Sequence, residues 1–292
     1  MARDSGVPSP LTILRWTTLV VVVANIAFVA DYSALGNSPT IAEVVAEYGD
    51  MIVPGGLAKA IGVAILVALA LFYVDALMPR RPRIRIYDKL VIPLALTSVL
   101  ATCWLVAFRH EEIALSAALV AAGAVLAGVM FIRVAAVSPS EHSGWLRVPF
   151  SLHFGAMTIA LLAAATQCLH ASGLLMGTAV VQDDVATAFL AIAVAAGGFV
   201  ALRYRDSIYP TVIASGAGAM FIAQRTYNPH FAVFALVAFV GMCVVVVLAA
   251  VAVAQQPPRP KGVSSRRRSK VARRAQDEGW ALMGTSSSIM RL

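Results

Sequence analysis

VPFSLHFGAMTIALLAAATQCL, residues Val148–Leu169, decides the fold. It is long enough to cross a bilayer, whose hydrocarbon core takes about 20 apolar helical residues. It opens on a Pro-Phe pair just after the basic Arg147, so it reads as one membrane span with a marked start. A soluble domain has no use for a run of this kind.

Working outward, seven other apolar stretches of similar length flank it. The eight expected spans are 11–30, 57–77, 90–108, 113–132, 148–169, 185–202, 208–223 and 231–254. The composition agrees: 60% of the 292 residues are hydrophobic, 13% are charged, and mean hydropathy is +0.81. Soluble domains carry about 25% charged residues. In lipid no aqueous surface needs solvating, so charge retreats to loops and tails. The fold class is therefore all-α, a polytopic transmembrane helical bundle over 1–254, followed by a basic tail over 255–292. The start of the chain reads as a retained first helix, because 11–30 is long enough to span and ends without a small-x-small cleavage pattern.

The net charge of +8 would fit nucleic-acid binding if it were spread over the chain. It is not spread. Twenty of the 23 Lys and Arg fall in the N-terminal segment, the loops after spans two, four and six, and the tail. Lys59, Arg109 and Arg225 make up the other side. By the positive-inside rule both termini are expected in the cytoplasm. Nucleic acid is set aside as a partner, and an integral multi-pass location is expected, the plasma membrane if the source is bacterial.

Between spans one and two, Thr40-Ile-Ala-Glu43 has capping-box spacing and predicts a short amphipathic helix over Thr40–Glu47. Gly56/Ala60/Ala64, Ala124/Gly128 and the Ala-Ser-Gly-Ala-Gly-Ala run at 214–219 let helix backbones approach closely. Such faces suit a tight bundle and leave homo-oligomerisation open.

Chemistry-bearing residues are few. Cys103, Cys168 and Cys243 each lie in a span without a Cys-x-x-Cys pair, so they read as small packing residues. His-Glu-x-x-His, Gly-x-Ser-x-Gly and phosphate-loop motifs are missing, as is metal-spaced Cys/His clustering. The expectation is a non-enzyme with no cofactor, no catalytic residue and no metal site. Lys59, Asp75 and His153 are the ionisable groups near span ends. Each reads first as a snorkelling or internally bonded side chain and second as a ligand contact. In the tail, Arg266, Arg267, Arg268, Lys270, Arg273 and Arg274 are expected to attract anionic lipid headgroups. Phosphorylation of Ser264, Ser265 or Ser269 would weaken that attraction.

Four segments carry a family resemblance. They are Asn25 with the following Asn37-Ser-Pro-Thr40 and Glu43…Tyr48; Pro54-Gly-Gly-Leu-Ala-Lys-Ala-Ile61; Pro149-Phe-Ser-Leu-His-Phe-Gly155; and Arg205-Asp206…Tyr209 with a small-residue helix ending at Gln224. In order and spacing they resemble the long, eight-helix relatives of the tryptophan-rich sensory protein family, kin of the translocator or peripheral benzodiazepine receptor proteins. The second segment is similar to that family's Pro-Ala-Gly-Tyr-Ala-Phe-Ala-Ile-Trp, the third to its Pro-Phe-Ser-x-Tyr-x-Gly-Trp. The resemblance implies a pocket between helices for a tetrapyrrole or sterol. Several of its rings are replaced: the family tryptophans fall on Gly62 and Ala156, a tyrosine on Leu66 and an asparagine on Ala164. On this reading the ligand-binding candidates are Asn25, Pro54, Gly56, Lys59, Trp104, Phe150 and His153. The implied function is binding or translocating a hydrophobic small molecule. The alternatives are a structural or interaction protein with a partner-binding basic tail, and a secondary transporter, which would want buried ionisable groups that the span centres lack.

Overall fold

The structure is a computed structural model, and it describes residues 10–34, 65, 67–72, 85–136, 146–174 and 179–255. The expected helix over Thr40–Glu47, the candidates Pro54, Gly56 and Lys59, most of the second span and the tail arginines lie outside the described residues.

Every regular element among the described residues is helical. The helices are α1 (Pro10–Ala34), α2 (Arg85–Arg109), α3 (Ile113–Ala135), α4 (Val148–Ala171), α5 (Ala179–Tyr204), α6 (Ile208–Gln224) and α7 (Pro229–Ala254), with residues 67–72 also helical. Helices are forced by the medium, since hydrocarbon offers backbone N–H and C=O groups no partner but each other. Five of the helices are long and apolar enough to cross a membrane by length and composition, and two shorter apolar helices, Ile13–Phe28 and Ile208–Gln224, accompany them. The chain is an integral, multi-pass membrane protein.

Charged residues just beyond the expected span limits continue the helices. Lys89, Arg133 and Arg203 lie in terminal turns, and Asp183 and Asp184 fall inside α5. A helix need not stop where hydrocarbon stops. Its last turns extend into the headgroup region, where Lys and Arg stems stay apolar and their heads reach water.

Where helices do stop, the causes are local. Between α2 and α3, Glu111 takes a left-handed φ of 60°. Pro149 sits in the first turn of α4, where its missing N–H costs nothing, and Gly173 ends that helix at φ 76°. Arg205, at φ 52°, turns α5 into α6. Asn228 accepts the Phe231 amide at 3.1 Å to start α7, and its Nδ2 donates to Asp183 near the start of α5.

Cross-helix contacts fix direction. Arg15–Asp88 and Asn25–Ser98 join α1 and α2 at the same sequence offset, so those two helices run parallel. Parallel neighbours require the chain to return between residues 34 and 85, where the second expected span and helical residues 67–72 lie. Helices α2 and α3 are antiparallel across the turn at His110–Glu112. Gly123 faces Met157 and Gly128 faces Phe154, so α3 and α4 are antiparallel too. Gly155 faces Val212 and Gly216 faces Ile159, so α4 and α6 run parallel.

The core has two parts, with α3 and α4 contributing to both. One joins Phe131, Ile159 and Leu162 with buried residues of α5, α6 and α7, including Leu190, Ile213, Met220 and Met242. The other gathers Val22, Ile65, Leu69, Phe72, Leu90, Leu94, Met130, Val134, Leu146 and Phe150. The chain divides into two compact units, Met1–Ala250 and Val251–Leu292. In the second, residues 251–254 finish α7.

Candidate functional site

Four of the sequence-predicted ligand contacts are described: Asn25, Trp104, Phe150 and His153. Asn25 is buried between α1 and α2. Its amide donates to the Ser98 carbonyl at 3.0 Å and to Thr102 Oγ1 at 2.6 Å. The α1–α2 interface consumes both donors, as polar side chains do when they join membrane helices.

Trp104 is half-buried on α2, with its ring 5.9 Å from that of Phe108. A second tryptophan, Trp16, also lies in a helix, but it is 54% exposed on α1. Phe150 is 1% exposed and meets Phe72 edge-on, with ring centroids 4.9 Å apart. His153 lies one turn further along α4.

The structure brings Phe150 and His153 together and holds Trp104 apart from them. Arg133 reaches the Lys89 carbonyl and Arg147 the Ala135 carbonyl, which puts Lys89, Arg133 and Arg147 at roughly one level. Trp104 is fifteen residues past Lys89 on α2, and His153 six past Arg147 on the parallel α4. At about 1.5 Å rise per residue, Trp104 sits about 13 Å nearer the opposite end of the bundle.

His153 carries the unexplained group. Its Nε2 is buried and has no hydrogen-bond partner among the described residues. Nearly all buried polar atoms are paired, and an unpaired one costs about 1–3 kcal/mol. On α4 it shares a helical face with Ala156, which packs against the core cluster containing Phe150 and Phe72. The neighbouring Phe150 and Ala156 on α4 belong to or pack against an apolar cluster, and small-molecule sites generally combine apolar walls with a few polar groups.

Two constellations bring together residues that lie in separate segments of the sequence. Phe131, Phe154, Tyr204 and Tyr209 come from four helices and pack together. Phe154 lies 5.5 Å from Phe131 and 4.9 Å from Tyr209, and the Phe131–Tyr204 distance is 5.2 Å. The Tyr209 hydroxyl meets Thr158 Oγ1 at 2.9 Å. These rings fill one another's space and form core. The second constellation is Asp206, 5% exposed, which accepts Ser151 Oγ at 2.6 Å and the amides of Ile208 and Tyr209 at 2.8 and 3.0 Å. Asp-Ser ahead of Ile-Tyr-Pro is a helix-start signal, and it was the available clue.

No group of three or more His, Cys, Asp or Glu side chains converges on a common point among the described residues. A family model described as TSPO-like protein matches residues 13–253. Neither the curated proteins nor the solved structures contain a match.

Proposed function

The chain belongs to the TSPO-like protein family, and from that premise we propose that it binds an apolar, ring-bearing small molecule between its helices. The reading rests on one observation, the buried Nε2 of His153, which has no hydrogen-bond partner among the described residues. A ligand hydroxyl, carbonyl or carboxyl group would pair with it, while Phe150 and Phe72 supply apolar contact beside it. Trp104 belongs to a separate region on this reading, and Asn25 serves helix packing. The role is binding or passage of the molecule, without catalysis.

The test is a titration of the purified full chain in detergent with a porphyrin and with a sterol, read by thermal stability and tryptophan quenching. Saturable binding is expected to weaken about tenfold in His153→Ala, the loss of roughly one hydrogen bond. Trp104→Phe should leave affinity unchanged. If neither compound binds, or if His153→Ala binds as well as the parent chain, the assignment fails. The structural and interaction role then becomes the better account.

A further inference from the structure

Helix α2 carries a proline inside its first half, Pro93. Proline has no N–H, so the carbonyl four residues earlier, that of Lys89, loses its helical donor. The structure fills that carbonyl from a neighbouring helix: Arg133 Nη1 of α3 donates to it at 2.9 Å. A guanidinium is thereby fixed beside the lysine whose own side chain projects from the same turn. Both Lys89 and Arg133 are exposed, and neither has a carboxylate partner among the described residues. The acid of this turn, Asp88, is already taken by Arg15 of α1. Among the described residues, no carboxylate compensates these two positive charges at one end of the α2–α3 pair.

Along the same two helices, moving into the span, Ile92 and Leu96 on α2 and Val125 and Ile132 on α3 are about half exposed or more. Cationic heads above, exposed apolar side chains below: that sequence matches an amphiphile aligned with the bilayer, with a phosphate at the interface and acyl chains along the helices. We propose that Lys89 and Arg133 form a binding site for the headgroup of an anionic phospholipid. This site is independent of the basic tail and of the His153 region. Arg133 suits the task because its planar fork can hold the Lys89 carbonyl with one nitrogen while other N–H groups face a phosphate oxygen. Charge complementarity selects an anionic over a zwitterionic lipid, and each basic side chain near the surface adds about a fivefold preference.

Native mass spectrometry of the full chain tests this, with equal amounts of phosphatidylglycerol and phosphatidylcholine of identical acyl chains. The parent chain is expected to retain phosphatidylglycerol preferentially. Lys89→Gln and Arg133→Gln should each cut that preference about fivefold, and the double variant about twenty-five-fold. Arg133→Lys, which keeps the charge and loses the planar fork, should fall between the parent chain and Arg133→Gln, and Arg225→Gln, on the opposite side, should change nothing. All variants carry the tail, so its contribution cancels. A variant that loses phosphatidylglycerol while holding phosphatidylcholine as before is folded and has lost the site. An unchanged ratio in the double variant overturns the proposal. So does complete displacement of phosphatidylglycerol by inorganic phosphate, which would mean that the chains play no part.

Discussion

Asp206 holds three hydrogen bonds with one buried side chain. Its carboxylate takes the Ser151 hydroxyl from α4 and the first two amides of α6, in the turn where Arg205 is left-handed. Helix-start amides have no partner within their own helix, and a buried hydroxyl has no water to turn to. Removing the carboxylate would therefore strand three donors at once. Asp206→Ala is expected to destabilise the protein by about 2–4 kcal/mol, and Asp206→Asn, which keeps an acceptor oxygen, by clearly less. Equilibrium unfolding in mixed micelles with rising denaturing detergent measures both. Equal losses for the two variants would mean that the bonds do not carry the effect. In the sequence, Asp206 stands out only as part of the Arg205-Asp206…Tyr209 segment that carries the family resemblance. Its burial depends on α4 arriving beside that turn, which no local pattern announces.

At the scale of elements, glycine sets how closely α4 and α6 approach. A Cβ on Gly155 would lie 2.8 Å from Val212 Cβ and 3.3 Å from the Tyr209 carbonyl oxygen. Both neighbours are fixed parts of α6 that cannot swing aside, so the helices must separate. With no hydrophobic drive in lipid, close van der Waals packing is much of what holds such a pair together. Gly155→Ala should cost about 1–3 kcal/mol by overpacking. Gly198 on α5 is the internal comparison, because no described residue lies within 4 Å of its added Cβ. Gly198→Ala should be neutral, or stabilise by up to about 1 kcal/mol through helix propensity. Thermal transitions in one detergent decide between them, and a Gly155→Ala protein as stable as its parent would refute the close approach. The small residues were visible in the sequence as a general feature. Which of them touch a partner depends on register, and the same gap explains the site. Phe150 and His153 are three residues apart on one helix and stay together in any fold. Whether Trp104 joins them depends on how α2 lies against α4, which local spacing does not encode.

For the whole molecule, hydropathy and charge made the fold class legible, because bilayer physics acts on long runs and does not need register. The same two properties bear on orientation. Helices α1, α2, α4 and α6 start at one end, and α3, α5 and α7 run back towards it. Among the described residues that end carries Arg15, Lys89, Arg133, Arg147, Arg203 and Arg205, while the other carries Arg109 and Arg225. The acids lean the opposite way, with Glu111, Glu112, Asp183 and Asp184 at the far end against Asp88 and Asp206. Since insertion holds Lys and Arg back on the cytoplasmic side, the basic end is expected to face the cytoplasm, and both chain termini with it. A reporter that works only inside the cell, fused after residue 255, should be active there. One that works only outside should be active when inserted at Glu111, in the turn between α2 and α3, and silent when fused after residue 255. The reverse pattern would invert the whole arrangement and move Lys89 and Arg133 to the outer leaflet. Activity of the outside reporter at both positions would instead require an odd number of spans, which the parallel pairing of α1 with α2 and of α4 with α6 opposes.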